Sequence, residues 1–150
     1  MPCTIRDAAP EDDERLIALF RASVREAARR DYSEAQVRAW APDEIDAAAW
    51  RERLAGQRVF VAEFAGELAG FAALEADGHL DMLFVSPAHQ RRGVGSALLA
   101  AVEAAGPWPI FTEASLTARP LFAARGYRVL ARQTVELRGE SFVNFRMAKE

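Results

Sequence analysis

Val85-Ser86-Pro87-Ala88-His89-Gln90-Arg91-Arg92-Gly93-Val94-Gly95-Ser96-Ala97-Leu98-Leu99 is the segment on which the fold turns. Pro87 closes an apolar run that reads as a strand, and an apolar helix over Ser96–Ala105 follows almost at once. Between them, Gly93 and Gly95 allow the tight or left-handed backbone that such a turn needs. They also remove side chains that would hold a pyrophosphate away from the amides. The first amides of a helix have no intrahelical acceptor, and the helix dipole favours negative charge beside them. Arg91 and Arg92 add charged donors at the same place. Glycines of this kind also serve plain strand-to-helix loops, and on the glycines alone both readings stand. The segment is not a P-loop, because the Lys-Ser/Thr ending is missing. Nor is it the dinucleotide fingerprint, since a third glycine is absent and no βαβ unit precedes it.

Working outward, the chain divides by hydrophobic period. Thr4–Ala8 reads as a strand, and Pro10–Asp13 as the entrance to an amphipathic helix over Asp13–Arg29, with Leu16, Leu19, Phe20, Val24 and Ala27 on one face. Ser33 followed by Gln36 has capping-box spacing and predicts a short second helix carrying Val37 and Trp40. Pro42 interrupts, and Asp43–Leu54 is a third helix stopped at Gly56. Arg58–Glu63 and Leu68–Leu74 flank Ala65-Gly66-Glu67 as a hairpin, and Asp77-Gly78 turns the chain into a strand over His79–Val85. After the Ser96–Ala105 helix come a Pro109–Glu113 strand, a Thr117–Arg125 helix ended by Gly126, and a closing hairpin of Tyr127–Leu137 and Ser141–Met147. Mixed α/β layers are the simplest architecture that covers both faces of such a sheet.

The 150 residues suit one domain, and a formal charge of −3 offers no general argument for nucleic acid or an anionic membrane surface. The lone Cys3 excludes an internal disulfide, no signal-like run opens the chain, and no apolar stretch is long enough to span a bilayer. A cytoplasmic location is the expectation. His79 and His89 have no ligand cluster near them in sequence, so no metal is expected. Cys3, without a nearby histidine, is not expected to be a nucleophile.

Gln90 to Gly95, after a strand ending Val85-Ser86-Pro87, closely resembles the coenzyme A-binding motif of the GNAT acetyltransferases, Gln/Arg-x-x-Gly-x-Gly/Ala after Val-x-Pro. Leu121-Phe122-Ala123-Ala124-Arg125-Gly126-Tyr127 resembles that family's Tyr-x-x-x-Gly-Phe element, and the likeness extends over nearly the whole chain. Tyr32-Ser33 with Gln36, Trp40-Ala41-Pro42, Thr112-Glu113-Ala114-Ser115 and Val143-Asn144-Phe145-Arg146-Met147 narrow it towards the YafP-like bacterial subgroup. The resemblance implies a single mixed, mostly antiparallel α/β acyl-CoA acyltransferase sheet with helices on both faces. It implies acetyl-CoA as cofactor and direct acyl transfer to a primary amine of a small molecule or protein. The backbone of Gln90, Arg91, Arg92, Gly93, Val94, Gly95 and Ser96 would then hold the pyrophosphate. Two parallel strands, His79–Val85 and Pro109–Glu113, would splay around the pantetheine arm, which Leu83, Phe84 and Val85 would bond.

Direct transfer needs a proton acceptor, oxyanion stabilisation and help for the thiolate. Asp81 and His79 lie two residues apart on one strand and so on one face; Asp81 is the expected base and His79 the alternative or a relay. Burial beside an apolar strand is expected to raise the proton affinity of Asp81. The family's usual acid, the tyrosine of its second motif, is Phe122 here, which has no exchangeable proton. Ser115 falls where relatives often carry an asparagine against the cofactor arm, and a helix-capping role suits it equally. Glu113 ends the second cofactor strand, facing either the acceptor or solvent. The resemblance implies that Tyr32, Gln36 and Trp40 come from the helices that wall the acceptor site, although Trp40 on a helical stripe reads more often as core; Tyr127 is expected in the core. Phe122 leaves open a coenzyme A-binding regulatory domain without turnover. A homodimeric structural partner, pairing through the carboxy-terminal strands, is a further alternative.

Overall fold

The computed structural model describes residues 3–150. Its strands are β1 (Thr4–Asp7), β2 (Arg58–Phe64), β3 (Glu67–Leu74), β4 (Leu80–Val85), β5 (Ile110–Ser115), β6 (Arg128–Leu137) and β7 (Glu140–Lys149). The α-helices are α1 (Asp13–Ala22), α2 (Glu34–Trp40), α3 (Ala47–Leu54), α4 (Val94–Ala105) and α5 (Arg119–Ala124). Strands β1-β2-β3-β4 form one antiparallel sheet and β5-β7-β6 another.

Alternation along β2 and β3 divides the core into two layers. Val61, Phe71 and Ala73 face α1 and α3, where they meet Leu16, Phe20, Trp50 and Leu54. Phe60, Ala62, Ala72 and Leu74 face the other way, against Leu98, Leu99 and Val102 of α4 and Phe122 of α5. Helices therefore cover both faces, as the mixed pattern requires. Gly70 lets α4 lie close: a Cβ there would sit 2.8 Å from the Phe84 carbonyl oxygen and 3.0 Å from Val94. Beneath α1, the buried Asp12 accepts two hydrogen bonds from Arg6 at 2.8 and 3.1 Å, which hold its pKa down to about 2.

Several boundaries differ from the sequence reading for local reasons. The long first helix is α-helical only to Ala22; Ser23–Ala27 widens into a π-type turn and Ala28–Arg30 tightens to 3-10 geometry. The added residue re-phases the apolar stripe, so Ala28 is buried where Ala27 was expected. The third helix starts at Ala47 because Asp46 caps it, accepting from the Ala48 amide at 2.9 Å, while Asp43 pairs with Arg25 at 2.7 Å. The Ser33–Gln36 capping box forms in both directions.

Strands β4 and β5 run side by side but touch only at their beginnings. His79 and Phe111 make an isolated parallel bridge, the Phe111 amide donates to the Gly78 carbonyl at 3.1 Å, and Thr112 Oγ1 donates to the Leu80 carbonyl at 2.9 Å. Beyond these the strands diverge, each paired only with its outer neighbour. Gly78 makes the junction possible. Its φ is +96°, and a Cβ would collide with the Pro109 carbonyl and lie 3.0 Å from that of Pro107.

Gly78→Ala should therefore destabilise the protein by about 2 kcal/mol or more, since backbone cannot yield as a flexible side chain would. Gly56→Ala serves as the control: it shares a positive φ of 82° but meets nothing within 4 Å. Chemical denaturation of both checks this, and equal losses would remove the close approach at Gly78 as the cause.

Candidate active site

The gap between β4 and β5 leaves two sheet edges without a strand partner among the described residues, and backbone groups there need another acceptor or donor. Which groups they are follows from the pairing of β3 with β4. The Ser86 amide bonds the Ala69 carbonyl at 2.8 Å, so by antiparallel alternation Phe84 and Met82 also bond β3. Leu83 and Val85 consequently turn their backbone polar groups into the gap. The Val85 carbonyl is taken by Gln90 Nε2 at 3.0 Å, which ties the glycine-rich turn to the end of the strand.

That turn opens as an anion site would. Arg91 and Gly93 are left-handed, with φ of 61° and 79°, and Gly93 is the N-cap of α4. The first helical bond runs from the Ala97 amide to the Gly93 carbonyl at 3.0 Å, leaving the amides of Val94, Gly95 and Ser96 ahead of it without intrahelical acceptors. No acidic side chain occupies the first turn. Arg91 and Arg92 are exposed beside it, Arg92 lying 5.4 Å from the Phe64 ring centroid. The two glycines serve different ends. Gly93 faces open space, whereas a Cβ at Gly95 would lie 2.8 Å from Leu121, so Gly95 makes room for α5 rather than for an anion.

From the open gap a cavity of about 610 Å³ extends towards α1, α2 and α3, within the usual size range of small-ligand sites. Leu83, Phe84, Ser115 and Phe122 line it, as do Tyr32, Trp40, Asp81 and Glu113. Their roles differ from residue to residue. Ser115 Oγ accepts from the Ala118 amide at 3.0 Å, capping the turn into α5. Phe122 is buried against Tyr127, whose hydroxyl donates to Glu103 at 2.9 Å; burial first and that carboxylate second push the phenol well above its usual pKa. Tyr32 is also buried: its hydroxyl donates to the Val143 carbonyl at 2.6 Å and accepts from the Leu116 amide at 2.9 Å, joining the end of β5 to β7. Gln36 donates to the Ser141 carbonyl at 2.7 Å and lies outside the cavity wall.

Asp81 does not have the raised proton affinity expected of it. Burial alone would raise its pKa. However, Arg53 donates to both carboxylate oxygens at 2.9 and 3.1 Å and Gln57 adds a third bond at 3.0 Å, so the net shift is downward. The partner Arg53 stands on α3, far away in sequence. His79 is likewise engaged at both nitrogens, Nδ1 with Glu75 at 2.5 Å and Nε2 with Glu113 at 2.7 Å, and its ring stacks on Phe111. Burial works against its charge, but the two carboxylates outweigh it and raise its pKa. Glu75, His79 and Asp81 bring ligand-type atoms within 4.8 Å of one another, yet Asp81 and His79 already spend those atoms on protein partners.

Trp50 and Asn144 also line the cavity, and their Nε1 and Oδ1 atoms are buried with no hydrogen-bond partner among the described residues. Neither was singled out as a site residue from the sequence. Asn144 lies opposite Ser115 in the β5–β7 register, which no local pattern announces.

The model for the acetyltransferase (GNAT) domain matches residues 28–149. The uncharacterized N-acetyltransferase YafP of Escherichia coli K12 is 39% identical over 143 residues, covering 95% of this chain and 93% of its own. The crystal structure of a GCN5-related N-acetyltransferase from Rhodopseudomonas palustris superposes with a TM-score of 0.94 at 38% identity, covering 100% of this chain and 96% of that one. The PaiA N-acetyltransferase of Thermoplasma acidophilum, solved in complex with coenzyme A, shares the fold with a TM-score of 0.75 at 20% identity, covering 100% and 99% of the two chains.

A raised histidine pKa contributes stability that is fully present below the unfolded value near 6.5 and is lost as pH rises through the folded value. The groups around His79 are Glu75, Asp77, Asp81 and Glu113, with Arg53 beyond Asp81. Thermal unfolding should show wild-type stability falling relative to His79→Gln as pH rises from 6.5 through the alkaline side. Parallel curves for the two proteins would mean that His79 carries no extra proton.

Proposed function

The chain belongs to the GNAT acetyltransferase family, and from that premise we propose that it moves an acetyl group directly from acetyl-CoA to a primary amine of a small molecule or protein. The observation that carries this reading is the partnerless gap between β4 and β5, running from a turn with free amides to a half-enclosed cavity. The free amides of Val94, Gly95 and Ser96, with Arg91 and Arg92, suit a pyrophosphate. An extended arm carrying amides suits the free edge at Leu83 and Val85, much as an added strand would. The thioester then lies where the cavity widens, held beside the acceptor so that transfer depends on position. Coenzyme A in the PaiA relative, and acetyl-CoA in the YncA acetyltransferase structure from Salmonella typhimurium, support the choice of cofactor.

A coenzyme A-binding domain without turnover is the second reading, favoured by the proton-free Phe122 in the cavity wall. Release of free thiol on adding an amine separates the two. Calorimetry tests the cofactor site itself. Gly93→Val should weaken acetyl-CoA binding by at least about tenfold, roughly 1.4 kcal/mol, by disturbing the left-handed cap and crowding the amides. The double variant Arg91→Ala/Arg92→Ala should lose several-fold affinity at low salt and less at high salt. Unchanged affinity in both folded variants would remove the turn from the site.

A further inference from the structure

Resting on the acetyltransferase reading, we infer that the acceptor is a weakly basic primary arylamine, bound against an aromatic wall and acetylated without a dedicated protein base. The wall is continuous. Ring-to-ring contacts run from Trp50 to Phe20, Phe84, Trp40, Phe142 and Tyr32, with centroids 4.9 to 6.3 Å apart, and all six rings border the cavity. A planar aromatic ligand gains most from such a surface through offset or edge-to-face contact.

The charges on the wall point the same way. Both oxygens of Asp81 are held by Arg53 and Gln57, one oxygen of Glu113 meets His79, and one oxygen of Asp46 caps α3. Glu44 also lines the cavity, at its solvent-exposed side on the loop before α3. An alkylamine enters as its ammonium, and an aromatic wall binds that cation well but cannot deprotonate it. It is then held in the unreactive form. An arylamine differs because its nitrogen lone pair is delocalised into the ring and it is unprotonated at neutral pH.

The bond changes close without any outside group. The amine nitrogen attacks the thioester carbonyl carbon, forming a C–N bond and placing the carbonyl electron pair on oxygen. Collapse re-forms the carbonyl and breaks the C–S bond, with the electron pair leaving on sulfur. The proton shed by nitrogen goes to that thiolate, directly or through water, giving the aryl amide and free coenzyme A thiol. One proton leaves and one is taken up, which is why a proton-free Phe122 beside the arm is compatible with turnover.

The test measures coenzyme A thiol release with 4-methylaniline, benzylamine, spermidine and a lysine peptide, alongside calorimetric binding of acetyl-CoA. At pH 7, kcat/KM for 4-methylaniline should exceed that for benzylamine by at least about tenfold. Between pH 6.5 and 8.5 it should change by less than about threefold, while the benzylamine value climbs with its free-base fraction. Trp40→Ala should raise KM for 4-methylaniline by about tenfold with acetyl-CoA affinity intact. Faster turnover of benzylamine, spermidine or the peptide at pH 7 would overturn the arylamine inference while leaving amine acetylation standing. Unaltered KM in Trp40→Ala would overturn it too. Acetyl-CoA binding with no thiol release from any amine would overturn both this inference and the amine-acceptor reading.

Discussion

The hydrogen bond from the Phe111 amide to the Gly78 carbonyl joins two otherwise separate sheets at one end of a pair of parallel strands. With the Thr112–Leu80 bond and the His79–Glu113 contact beside it, the strands are pinned at their beginnings and free beyond. Because β4 and β5 then diverge, the edge at Leu83 and Val85 is open, and α4 begins just past the open end. On that side, Gly95 of α4 packs on Leu121 of α5. A closed sheet of seven strands built from the same residues would have no slot and no reason for a positively charged turn beside it.

A second consequence concerns charge. The groups that look most like acid–base catalysts have both their hydrogen-bonding atoms committed: Asp81 to Arg53 and Gln57, His79 to Glu75 and Glu113. Such pairs tolerate partial burial because each charge is met, and they fix the shape of the cavity wall. The cavity thus combines a rigid polar corner with an aromatic surface. On the proposed reading, its chemistry would rest on bringing thioester and acceptor together in a small, partly enclosed volume.

What the sequence disclosed was local. Ser33 and Gln36 cap a helix through a three-residue spacing, Asp77-Gly78 turns the chain, and Gln90 to Ser96 carry their geometry in adjacent residues. What it withheld was set by distant partners. Asp81 reads as a lone carboxylate on an apolar strand until Arg53, from α3, is brought onto it. Gly95 resembles Gly93 in sequence, yet only the packing of Leu121 shows that the two do different work. The widening after Ala22 has no residue signature, and Asn144 enters the cavity only through the pairing of β7 with β5.

The central claim is that one bound acetyl-CoA bridges the α4 turn and the free edge of β4. Hydrogen exchange resolved to single amides, compared with and without acetyl-CoA, addresses both ends at once. Val94, Gly95 and Ser96 at the turn and Leu83 and Val85 on the strand should all slow on binding, because each has an unmet donor facing the slot. Protection confined to other segments, with these amides exchanging as fast as in the free protein, would contradict the account.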